Sequence, residues 1–95
     1  MQREIYEVRA VIVDSNGTYN QLTGYPKTFD SKSYQNDIKK AERRAFAELS
    51  DIKSGYLKRD DRQIQFAQII RLSDGMTLET FKDGRLEALP DTEEA

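Results

Sequence analysis

The stretch Ser33–Gly55, SYQNDIKKAERRAFAELSDIKSG, decides the fold. Within it Ile38, Ala41, Ala45, Leu49 and Ile52 recur at spacings of three and four. At about 100° per residue they form one narrow apolar stripe on a helix. Phe46 falls on the shoulder of that stripe, and Glu42 lies close to it as a flaw in the pattern. Lys39, Lys40, Arg43 and Arg44 fall on the opposite side. Both ends carry signals. The Ser33 hydroxyl suits an N-cap, where it accepts from an otherwise unpaired first-turn amide. Gly55 suits the position just past the last turn, which favours a left-handed residue without a Cβ penalty. A single amphipathic helix cannot bury its own stripe, so the rest of the chain must supply a matching apolar surface.

Upstream, Tyr6, Val8, Ala10 and Ile12 alternate with Glu7, Arg9 and Val11, so residues 4–13 read as a half-buried strand. Asp14-Ser15-Asn16-Gly17 is a turn, because Asn-Gly tolerates positive φ. The chain returns through Tyr19, Leu22, Tyr25, Thr28 and Phe29 as an irregular second strand. Gly24 suggests a bulge or a close approach there, and Pro26, which lacks an amide donor, means that the segment lies at a sheet edge or leaves the sheet at that point. Downstream, Tyr56-Leu57 fold back over the core and Lys58-Arg59-Asp60-Asp61 is a charged loop. A third strand follows from Arg62 to Leu72, with Ile64, Phe66, Ile70 and Leu72 on one face and Ala67 and Ile69 on the other. Gln68 interrupts the first face, so either it is buried with partners or a bulge shifts the register. Asp74-Gly75 and Asp83-Gly84 read as two-residue hairpins, leading into strands at Met76–Phe81 and Arg85–Ala88. Pro90 stops the last of these.

The expected order is therefore ββαβββ: a two-layer α+β sandwich, with a mostly antiparallel sheet and the helix packed on one face. Residues 1–90 form one domain and residues 91–95 an acidic flexible C-terminal tail. With 95 residues, 37% apolar and 34% charged, the core is single and modest.

Composition closes off several functions. Histidine and cysteine are both absent, which removes the commonest general base, the commonest metal ligand and any thiolate chemistry. Asp60-Asp61 is the densest carboxylate pair, but Lys58, Arg59 and Arg62 flank it, as in a charge-balanced loop. Asp14, Asp74 and Asp83 stand in turns, where aspartate bonds its own backbone. The glycines are dispersed and make no phosphate loop. No metal, cofactor or catalytic set is expected, and the chain reads as non-enzymatic. No apolar run is long enough to span a bilayer, and Met1-Gln2-Arg3-Glu4 lacks the apolar core of a signal peptide, so a cytoplasmic location is expected.

Two surfaces remain as leads. The four helix cations Lys39, Lys40, Arg43 and Arg44 could track phosphates. Residues 27–71 hold 11 bases and 7 acids, although the whole chain carries −2. Helix spacing brings Glu48 to Arg44 and Asp37 to Lys40, so partial neutralisation and only weak nucleic-acid binding are expected. The second lead is aromatic and apolar. Tyr19, Tyr25 and Tyr34 lie near the edge hairpin and the start of the helix. Val11, Val13, Ile69 and Phe81 populate the sheet face away from the helix, and an open face of that kind wants a partner. The preferred reading is a small protein-binding module or accessory protein. It acts through a sheet face or edge, on another protein or on a second copy in a dimer; the alternative is nucleic-acid binding by the basic helix face.

Overall fold

Alternation builds the first strand. Tyr6, Val8, Ala10 and Ile12 project to one side of β1 (Ile5–Asp14) and all are buried. A computed structural model describes residues 3–87 of the chain. After β1 come β2 (Tyr19–Gln21), β3 (Lys27–Asp30), a 3-10 turn (Ser31–Tyr34), α1 (Ile38–Tyr56), β4 (Arg62–Arg71), β5 (Met76–Phe81) and a helical turn α2 (Gly84–Glu87). The domain is a small α+β fold, an antiparallel sheet with α1 packed against one face.

β1 and β4 form the middle of the sheet and pair from Tyr6–Arg71 to Asp14–Arg62. β5 flanks β4, while β2 and β3 share the free edge of β1. The irregular second strand of the sequence is thus one strand broken in two. Gln21 pairs with Val11 and Lys27 with Val8, so Leu22–Pro26 stand opposite only Arg9 and Ala10. The excursion uses the two residues singled out for it. Gly24 has φ 89°, open to glycine, and Pro26 has no amide to leave unpaired.

The stripe of α1 meets the inner sheet face. Ala41, Ala45, Leu49 and Ile52 are buried against Val8, Ala10, Ile64, Ala67 and Ile69, with Tyr6 and Phe29 at the side and Ile38 half-buried at the start. The small alanines let the helix lie close to the sheet. The ends of the helix differ from the expectation. Asp37 is the N-cap and accepts from the Lys40 amide at 3.1 Å. Asp30 caps the preceding 3-10 turn by accepting from the Lys32 amide at 2.9 Å. Between these caps Gln35 and Asn36 are left-handed, at φ 60° and 64°, which no helix running from Ser33 can accommodate. Gly55 lies inside the last turn, and Leu57 caps the end.

The register of β4 also corrects the expectation. The shift falls between Val11–Phe66 and Ile12–Ile64, so Gln65 is the extra residue. Beyond it the inner face passes from Ile64 to Ala67 and Ile69, and Phe66, Gln68 and Ile70 turn outward. Gln68 is half-buried on the outer face, opposite Arg9. The β4–β5 connection is four residues, Leu72–Gly75, closed by the Gly75 amide on the Arg71 carbonyl at 2.8 Å. The expected fifth strand at Arg85–Ala88 is instead α2 as far as Glu87. Asp83 accepts from the Arg85 amide at 2.9 Å and so turns the chain into a helical loop rather than a hairpin. The expected acidic tail lies outside the described residues.

Candidate interaction surfaces

Strand register places the outer face in rows. Tyr19, Val13 and Gln63 form one row, and Gln21, Val11 and Phe66 the next. Arg9 then stands beside Gln68 and Thr80, and Glu7 between Thr28 and Ile70. The Arg9 guanidinium bonds Glu7 at 2.7 Å, so this part of the face is neutral. Glu7, Arg9, Val11, Gln21, Pro26 and Phe66 line a groove of about 310 Å³. A wider concavity of about 640 Å³ lies at the turn end, between Tyr19, Gln63, Gln65, Lys82 and Leu86.

The expected surface residues divide. Tyr19 is 59% exposed, Val11 is half-buried and Val13 is 7% exposed beside the same concavity. Ile69 is fully buried on the inner face, because the Gln65 bulge reverses the alternation the sequence implied. Phe81 is opposite Ala67, packs at the margin of the core and lies under Lys53, whose Nζ is 4.8 Å from the ring centre. Phe66 and Ile70 take their places outside, and the interruption at Gln68 was the signal that could have found them.

Tyr25 and Tyr34 are half-buried against the core. The Tyr25 hydroxyl donates to the Glu48 carboxylate on α1, and Lys27 reaches the same carboxylate at 3.0 Å. Burial and this bond push the Tyr25 hydroxyl pKa upward, while the Tyr25 bond and Lys27 hold the Glu48 carboxyl below its ordinary value.

The edges of the sheet are both irregular. β2 and β3 are separated by the Leu22–Pro26 excursion, and β5 carries a register shift at Leu78. Such breaks blunt an edge against pairing with another chain.

Lys39, Lys40, Arg43 and Arg44 are all exposed on α1. Among the described residues none of them lies within ion-pair distance of a carboxylate. The turn and loop carboxylates are occupied. Asp14 accepts from the Asn16 and Thr18 amides, and Asp74 from the Met76 amide and the Arg71 guanidinium. Asp61 pairs with Arg59 at 2.9 Å, and Asp60 stands 3.6 Å from Arg85. Among the described residues no group of three His, Cys, Asp or Glu side chains is placed to hold a metal ion, and no helix is long and apolar enough to cross a membrane. No protein-family model matches the chain, and no curated protein or solved structure matches it.

Proposed function

We propose that this chain is a non-enzymatic, cytoplasmic interaction module whose outer sheet face takes up a second copy of itself. The observation that carries the reading is the apolar strip of exposed Tyr19 and half-buried Val11 and Phe66 on a face that α1 leaves open, with Ile70, 8% exposed, at its far end. An antiparallel sheet can meet water on one side, but its outer residues are then polar. Here the strip breaks that alternation. Area is also adequate. The five strands hold 33 residues, which at about 3.3 Å rise and about 4.8 Å spacing cover about 520 Å² per copy, or about 1,000 Å² in all, the threshold for a specific contact. The Glu7–Arg9 pair can be self-complementary, since a two-fold axis passing between the two would set each against its opposite on the other copy. The face is favoured over the edges because both edges are broken.

Sedimentation equilibrium over a wide concentration range tests this. A concentration-dependent dimer is expected for the wild type and is expected to be lost in Phe66→Lys. Tyr19→Ser, which changes only an exposed side chain, should weaken it with the fold intact. A wild type that stays monomeric at high micromolar concentration removes the reading.

A further inference from the structure

The N-terminal half of α1 presents a surface separate from the sheet face, and its charges are set out against the interest of the helix. A helix start favours acids and disfavours cations, through the partial positive charge of its aligned peptides. Here the only acid at the start is the cap Asp37, Lys39 and Lys40 stand in the first turn, and Arg43 and Arg44 follow one turn on. Two of the acids that helix spacing offers them are engaged elsewhere, and the third, Glu42, is half-buried and within ion-pair distance of none of them. Asp37 caps the Lys40 amide, and Glu48 is taken by Tyr25 and Lys27, so Arg44 acts on Glu48 only through the longer-range field. Elsewhere in the fold Arg3, Arg9, Lys27, Arg59, Arg71 and Arg85 all have carboxylate partners. Among the described residues Lys32, Lys53, Lys58, Arg62 and Lys82 also have no carboxylate within ion-pair distance, and the N-terminal half of α1 is where four such cations stand together.

An aromatic ring completes that face. Phe46 is 37% exposed, although the sequence set it on the shoulder of the buried stripe. It is three residues beyond Arg43, so it adjoins that side chain on the helix surface, and it lies on the same face as Lys39 two turns away. Lys39 with Arg43, and Lys40 with Arg44, make two rows spaced about 6 Å along the axis. Cations flanked by an exposed aromatic face are the chemistry of single-strand recognition: phosphates track the charges, and an unpaired base stacks on the ring.

We infer that the exposed face of α1 binds single-stranded nucleic acid, with Lys39, Lys40, Arg43 and Arg44 on the phosphates and Phe46 beneath a base. A duplex offers the same phosphates but no free base face, so the ring makes the single strand the better ligand.

The test is fluorescence anisotropy with a labelled oligothymidine strand, an oligouridine strand and a mixed-sequence duplex, over a salt series from about 50 to 200 mM. Single-strand binding is expected with a log–log salt slope near about −2.8, for four released counterions. The quadruple glutamine variant K39Q/K40Q/R43Q/R44Q should flatten that slope. Phe46→Ala should weaken single-strand binding about fivefold or more, keep the slope, and leave duplex binding unchanged. R43K/R44K, which keeps every charge, should retain binding, and matched thermal melts identify any variant that has lost its fold. Equal affinity for duplex and single strand, an unchanged slope in the quadruple variant, or preference for anionic phospholipid vesicles over the strands would each overturn the inference.

Discussion

Asp83 is 1% exposed and ionised, and Arg85 makes that tolerable. The Arg85 guanidinium lies 2.6 Å from the Asp83 carboxylate and also donates to the Arg59 carbonyl at 2.6 Å and the Tyr56 carbonyl at 3.2 Å. One side chain therefore ties α2 to the last residue of α1, whose carbonyl also accepts from the Arg59 amide at 3.0 Å, and to the loop that follows it. Asp83→Asn keeps the shape but loses the charge-assisted bonds, and should cost about 1–3 kcal/mol in a urea titration. The same group contributes to acid sensitivity. Arg85 holds the Asp83 carboxyl below its ordinary value, and Arg3 and Arg71 hold Asp30 and Asp74 at about 2. A depressed carboxyl contributes stability above its unfolded pKa and loses it as pH falls through the folded one. Stability should thus be level from neutrality to about pH 5 and fall between about pH 4 and 2. Urea midpoints across that range check it, with a shallower fall in Asp83→Asn; parallel curves would mean that Asp83 contributes nothing.

Among the elements, α1 is where sequence and structure agree best, because a stripe of spacing three and four has one interpretation. Leu49, 3% exposed at the centre of the stripe, should lose about 2–5 kcal/mol on replacement by alanine. Lys40→Gln on the exposed side should stay within about 0.5 kcal/mol, and equal costs by chemical denaturation would mean that the stripe is misassigned. The ends of α1 were less legible. Ser33, Asp30 and Asp37 can all cap, and what separates them is the left-handed pair Gln35-Asn36, which periodicity does not reveal. β4 was legible as a strand but not in register. One extra residue reverses every side chain beyond it, and nothing local distinguishes Gln65 from Gln63 or Gln68 as that residue. The error carried into the candidate surface by exchanging Ile69 for Phe66 and Ile70. Deleting Gln65 should close the bulge and leave Ile64 opposite Ile12 in the core and Phe66 opposite Val11, so its loss should stay well below that of Ile64→Ala, about 2–5 kcal/mol. A deletion that costs as much as Ile64→Ala in urea would place the bulge elsewhere.

At the scale of the molecule, the core is the stripe of α1 packed on the inner sheet face, and the fold is expected to need no metal. Thermal melts with and without a chelator should superimpose; a large loss on chelation would mean a ligand had been overlooked. The sheet also orders events in time. Its two middle strands lie far apart in sequence, with Tyr6 opposite Arg71 and α1 between them. Pairings of that range are slow, because the loop must close before the contacts form. During synthesis the interval is imposed from outside: at about 5–20 residues per second, Tyr6 is made roughly 3–13 s before Arg71. Until then Tyr6, Val8, Ala10 and Ile12 have no β4 beside them, and the stripe of α1 has only half a sheet to cover. The nascent chain is thus a client for any holding factor that recognises an uncovered strand, and a ribosome stalled before Arg62 would present that client indefinitely.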